Sequence, residues 1–264
     1  MQTSIEIITP EVACRYLNLN ISTNRKLKYS NIKFLVDELK GGRWRLTHQG
    51  IAFNKDGFLI DGQNRLSAIV DSGISAQMMV SRGVENEAFK VMDNGVKRSF
   101  AESTGIQKNV VEIIPKIINL MDGASTTKRA HRISSIEISE FYEKNKIIED
   151  ILLSLTSSSR KYFSSSPIRL AALAQILRGN ECVRKNYSDL VNLNLNDSSQ
   201  IVKAFIKLRI NLNLKTSDYN LAFCYSMIVF DDNKQSNTRI KMNEEIINNN
   251  ILIAKNIFNS KLLR

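Results

Sequence analysis

Along the first third of the chain the spacing of hydrophobic residues switches repeatedly between two rhythms. Alternation over residues 4–8 predicts a strand, and Thr9-Pro10 then supplies an N-cap and a first-turn proline for a short helix to about Tyr16. Residues 18–28 have no clear period and read as a loop. Ser30 is placed to cap a helix whose inner face is Ile32, Leu35, Val36 and Leu39, ended by Gly41-Gly42. Two short apolar runs, Ile51 to Phe53 and Phe58 to Ile60, flank Lys55-Asp56-Gly57, and Asp-Gly between such runs predicts a hairpin. Beyond Asp61-Gly62 the period lengthens. Leu66, Ile69 and Val70 share a helical face, which Gly73 closes. Ala76 to Val80 reads as a buried strand, with short helices expected over residues 87–92 and 100–104, the second capped by Ser99.

From Gly105 onward the pattern is helical throughout. Ile113, Ile114, Ile117, Ile118 and Met121 mark one helix, and Pro115 inside it predicts a kink or a break. Ser134 with Glu137 forms a capping box for a helix to about Asn145, and Ser166-Pro167 opens another with Leu170, Leu173, Ala174 and Leu177 inward. Further helices are expected around residues 181–192, 199–210, 217–230 and 240–259, and Tyr142, Tyr162, Tyr187 and Tyr219 within helical stretches read as packing. The expected fold class is α+β: a mixed α/β domain over residues 1–105, then an all-helical domain over residues 106–264.

Composition narrows the chemistry. With 264 residues, 43% hydrophobic and 24% charged, this is a core-forming chain. The 3 cysteines, Cys14, Cys182 and Cys224, are far apart and form no CxxC pair, and neither His48 nor His131 is near one. No disulfide framework or sequence-local zinc site is suggested, and no metal ligand set is assigned. The N-terminus lacks the basic-then-apolar pattern of a signal peptide, and no apolar run approaches the ~20 residues of a membrane helix. A cytoplasmic protein, in a bacterial host cell and without a membrane partner, is the expectation. The net charge is +11. Residues 1–105 carry 14 Lys and Arg against 11 Asp and Glu, a net of +3, and the remainder 23 against 15, a net of +8. A basic second part favours a polyanionic partner, DNA first, over a merely solvated basic surface.

The chemistry concentrates where the hairpin runs into the helix. A strand ending in Asp61-Gly62 and a helix opening with Gln63, Asn64 and Arg65 aim unpaired backbone N–H groups and a positive dipole end at one point. Gly62 permits close approach of a ligand, and Arg65 adds a forked cationic donor. Phosphate suits such a site; a plain strand-to-helix turn is the alternative. Lys97, Arg98 and Ser99, just ahead of a short helix, form a second anion-binding candidate. Arg43-Trp44-Arg45 could stack on a nucleic-acid base, although a tryptophan at a helix-to-strand junction also suits the core. Lys128, Arg129 and Arg132 suit contact with a nucleic-acid backbone, or a solvated loop.

Ile60-Asp61-Gly62-Gln63-Asn64-Arg65-Leu66-Ser67-Ala68 resembles the signature of the ParB/sulfiredoxin-like superfamily, especially the phage and mobile-element branch marked by Asp-Gly-Gln-His-Arg-Leu-x-Ala. Asn24-Arg25, Gly42-Arg43-Trp44, Arg82-Gly83 and the run from Met92 to Ser99 follow in an order similar to that branch, so the resemblance covers roughly residues 5–105. It implies a small nucleotide-binding α/β domain that holds the phosphates of CTP or ATP on its Gly-x-x-Arg turn, with Mg²⁺ as a companion ion. ParB relatives clamp DNA, and a homodimer is an open alternative for the assembly. Gln63 stands where sulfiredoxin has its cysteine, which excludes that redox chemistry. Asn64 replaces the branch's histidine and removes the obvious acid–base group. Asp61 and Asp93 are the remaining catalytic candidates, each equally suited to binding Mg²⁺ or capping a turn.

The expected function is a phage- or mobile-element-type nucleotide-binding protein that acts with or on DNA through its basic helical part. A nucleotide hydrolase or phosphotransferase acting on a small molecule, a ParB-like DNA nuclease, and a non-catalytic phage factor that binds a host protein are the alternatives.

Overall fold

The structure, a computed structural model, describes residues 1–22, 24, 26–85, 101, 104–125, 132–155, 163–212 and 219–264. Both strands and helices are present, and they fall into two compact units, Met1–Lys97 and Arg98–Arg264. Each unit has its own hydrophobic core.

In the first unit β1 (Gln2–Ile8), β2 (Ile51–Asn54), β3 (Leu59–Asp61) and β4 (Ala76–Val84) form one sheet in the order β1-β4-β2-β3. β1 runs antiparallel to β4, β4 parallel to β2, and β2 antiparallel to β3. The hairpin closes as expected around Gly57, whose φ of +82° suits glycine. The Asn54 side chain braces it by accepting from the Asp56 and Phe58 amides at 3.1 and 2.8 Å. Helices α1 (Pro10–Leu17), α2 (Tyr29–Lys40) and α3 (Gln63–Ser72) share the core with one face of the sheet, where Ile8, Ile51, Phe53, Leu59, Met78 and Val80 meet Ile32, Leu39, Leu66 and Ile69. On the other face Ile5 and Ile7 are 60% and 64% exposed.

Local signals set most helix ends. Thr9 caps α1 through the Val12 amide, and Gly73, at φ +70°, closes α3. Ser30 does not cap α2. That helix starts at Tyr29 with Lys28 in the cap position and no side-chain cap bond, which leaves Ser30 inside its first turn.

The second unit is helical throughout its described residues: α4 (Lys108–Met121), α5 (Ser135–Lys144), α6 (Ile147–Ser154), α7 (Ser166–Arg178), α8 (Val183–Asn192), α9 (Gln200–Leu212), α10 (Tyr219–Val229) and α11 (Glu244–Lys261). α7 is the core helix, buried from Ser166 to Gln175 except at Arg169 and packed against α4, α6, α8, α10 and α11. Of the kink or break expected at Pro115, the break does not occur: α4 runs through it. A proline removes one backbone bond there, but Ile113, Ile114, Ile117 and Ile118 on either side of it are fully buried in the core of the second unit. Lys116 Nζ also donates to Glu112 O at 2.8 Å, beside the carbonyl that Pro115 cannot serve. Ser134 caps α5 through the Glu137 amide at 3.0 Å. Tyr187 is buried, and Tyr142 donates to Glu149 at 2.6 Å, which pushes its phenol up to about 12. Among the described residues no helix is long and apolar enough to cross a membrane.

Candidate functional site

The strand-to-helix junction is built on two glycines that allow no side chain. Gly62 has φ +102°, and a Cβ there would lie 3.1 Å from both Cα and Cγ1 of Ile51. Gly50, just ahead of β2, is tighter still: a Cβ would fall 1.7 Å from the Met79 carbonyl oxygen. Close packing of the β2 start against β4 and of the β3 end against β2 therefore fixes where α3 begins.

Asp61 and Arg65 brace this junction. Asp61 Oδ1 accepts the Gly62 amide at 2.7 Å, and its Oδ2 lies 3.7 Å from Arg65 Nη1. Arg65 Nη1 also donates to Gly50 O at 2.9 Å, so the guanidinium spans from α3 to the β2 start, with the side chain 23% exposed. Asp61 thus does the work of a turn cap, one of the two roles the sequence allows it.

Gln63 faces inward, and Asn64 turns back onto the segment before α2. Gln63 is 4% exposed, accepts from Asn20 Nδ2 at 3.2 Å, and reaches Asn24 Oδ1 at a long 3.5 Å. Asn24 Nδ2 in turn donates to Asn20 Oδ1 at 2.9 Å. Asn64 Oδ1 accepts the Lys28 backbone amide at 3.2 Å. The segment before α2 is therefore stitched to the start of α3. It is also stitched to β3, since Leu59 N donates to Leu19 O at 2.8 Å and Ile21 N to Leu59 O at 3.2 Å. Sequence reasoning missed Asn20 and Lys28; the one available signal was the run of asparagines at positions 18, 20 and 24.

What the junction can offer a ligand is consequently backbone and charge. A 10-residue helix begins after Gly62, first-turn amides such as that of Asn64 have no helical carbonyl to serve, and Arg65 supplies the cation. Asp93, Lys97, Arg98 and Ser99 lie outside the described residues, as do Lys128 and Arg129. Arg132 is exposed, two residues ahead of the Ser134 cap. Arg43 Nε binds Glu38 Oε1 at 2.8 Å. Trp44 packs on the core of the first unit, and its indole N–H donates to Gln77 O at 3.1 Å.

A second polar cluster in this unit joins β1, α1 and β4. Arg82 donates to both carboxylate oxygens of Glu6 and, at 2.7 Å, to the Tyr16 hydroxyl, which itself donates to Glu6 at 2.9 Å. The Arg82 guanidinium beside Glu6 holds its carboxyl down at about 2, against an ordinary 4.5. Burial raises the Tyr16 phenol, and the carboxylate it serves raises it further. The cluster closes on itself and is a clasp between β1 and β4.

All three cysteines are free. Burial and then Asp232 raise the Cys182 thiol, and burial pushes Cys224 up to about 12, so neither is a ready thiolate. Among the described residues no three His, Cys, Asp or Glu side chains come together to hold a metal ion. No family model, curated protein or solved structure matches the chain.

Proposed function

We propose that the first unit is a ParB/sulfiredoxin-like domain of the phage and mobile-element branch, and that it binds a nucleoside triphosphate, CTP or ATP, with the phosphates at the start of α3. The observation that carries this reading is the junction itself. A left-handed Gly62 leads into a helix N-terminus, and one turn in, Arg65 is already oriented by Gly50 O. Phosphate oxygens would take the first-turn amides and the guanidinium, which are the donors such a turn presents. Lys97, Arg98 and Ser99 add charge in the same reading. Asp61 is engaged as the turn cap on the Gly62 amide, and neither Gln63, bound to Asn20, nor Asn64 can take a proton, which favours binding over turnover.

In this proposal the second unit, which carries most of the positive charge, engages DNA phosphates, and nucleotide occupancy biases that engagement. Titration of the full chain with CTP, ATP and GTP, with and without Mg²⁺, tests the first part. Saturable binding that weakens about tenfold or more in Arg65→Gln is expected, because glutamine keeps a donor for Gly50 O and removes the charge. No saturable binding of any of the three would refute it. For the second part, duplex DNA affinity is expected to fall steeply between about 50 and 200 mM salt. Affinity independent of salt would remove DNA phosphates as the partner and leave the host-protein alternative.

A further inference from the structure

A cavity of about 310 Å³ opens at the start of α7, with Glu112, Ser165, Ser166, Arg169 and Tyr219 among its lining residues. That volume lies at the small end of the range for small-molecule sites. Its walls are polar and rich in donors. Ser166 is 3% exposed, and its hydroxyl has no hydrogen-bond partner among the described residues. Arg169 Nε is shut off from solvent and has no hydrogen-bond partner, while Nη2 of the same guanidinium donates to Glu112 Oε2 at 2.9 Å. The Ser166 hydroxyl, unlike Arg169 Nε, is not closed off from solvent, so it can serve whatever enters the cavity.

The helix start explains what is absent. Ser165 holds the N-cap position but its side chain makes no cap bond, whereas Thr9, Ser134 and Asn243 each bond into the helix they precede. Pro167 has no N–H, and the Ile168 and Arg169 amides both return to Ser165 O, at 3.0 and 3.1 Å. The positive end of a 13-residue helix therefore faces the cavity with hydroxyls and a guanidinium as its donors. The one carboxylate in the wall, Glu112, is already engaged by Arg169 and lies 3.9 Å from Lys116 Nζ, so its charge is shared between two cations.

We infer that this cavity binds the phosphate group of a small molecule, held by the Ser165 and Ser166 hydroxyls at the N-terminus of α7, with the Arg169 guanidinium beside them as the cation. A tetrahedral oxyanion supplies acceptors in several directions and meets the dipole with the right sign. The site is separate from the Gly62 junction and does not depend on a nucleotide there.

The test is calorimetric titration of the full chain with inorganic phosphate and with AMP, a phosphomonoester, in about 0.1 M NaCl. Saturable binding is expected, weakened about three- to tenfold in Ser166→Ala and about tenfold or more in Arg169→Gln, and unchanged in Arg65→Gln. Binding of phosphate alone identifies the free ion as the ligand; tighter binding of AMP identifies an ester. Ser166→Ala removes a hydroxyl with no partner among the described residues, so it keeps the fold if Arg169→Gln does not. No saturation by about 10 mM of either compound, or binding that survives Ser166→Ala undiminished, overturns the proposal. AMP binding lost only in Arg65→Gln overturns it too.

Discussion

The starts of α3 and α7 make an instructive pair, because both open on polar residues at the positive end of a helix. At α3 the side chains turn back onto the protein: Gln63 to Asn20, Asn64 to the Lys28 amide, and Arg65 to Gly50 O. At α7 the Ser166 hydroxyl has no partner among the described residues, and Arg169 Nε is closed off without one. The first start is a joint that leaves backbone and one oriented cation for a ligand; the second leaves its side chains. A distinctive motif can thus be occupied largely in building the fold, while a plain Ser-Ser-Pro run keeps its donors available.

Substitutions can break that contrast. The largest effect is expected from Gly50→Ala, whose Cβ would overlap the Met79 carbonyl and displace the acceptor of Arg65. A loss of about 3 kcal/mol or more is expected, read by denaturant unfolding through Trp44, the chain's one tryptophan, which reports on the first unit. Gln63→Ala comes next. It empties a buried position and removes the bonds to Asn20 and Asn24, and a loss of about 1–3 kcal/mol is expected by the same probe.

Glu6→Gln separates the joint from the unit's other charge cluster. The folded carboxyl titrates at about 2 rather than 4.5, so the ion pair stabilises fully above about pH 4.5 and its contribution fades as pH falls toward 2. Glu6 and Arg82 are partly solvated, which limits the expected cost of the substitution to about 1 kcal/mol at neutral pH. The gap between the variant and the parent should close in that acid window; a gap that persists below it would mean that Glu6 acts through shape. Ser166→Ala is expected to have the smallest effect, within about 0.5 kcal/mol by helical circular dichroism, because its hydroxyl serves no group among the described residues. A loss as large as that of Gln63→Ala would erase the distinction between the two helix starts.

How far these features can be read from sequence follows from how local their causes are. The hairpin at Asp56-Gly57, the Thr9 and Ser134 caps and the Gly73 stop are each decided within four residues, and each is where the pattern placed it. α6 gave no such signal. It begins at Ile147, directly after the Asn145 cap of α5, on an apolar run without a cap of its own. Pro115 argued for a break that the burial of its neighbours outweighs. At the candidate site, the turn and its glycine were legible because a strand running into a helix through Gly62 is a local event. The inward turn of Gln63 was not, because it depends on residues 19–21 folding back along β3 some 40 positions away, a pairing with no period to betray it.

Hydrogen exchange of the full chain under saturating CTP or ATP tests the central claim most directly. The account predicts slowed exchange in the peptide from Gly62 to Leu66, where phosphate oxygens take the first-turn amides of α3, and no such slowing in Arg65→Gln. Nucleotide that binds without changing exchange in that peptide would contradict it.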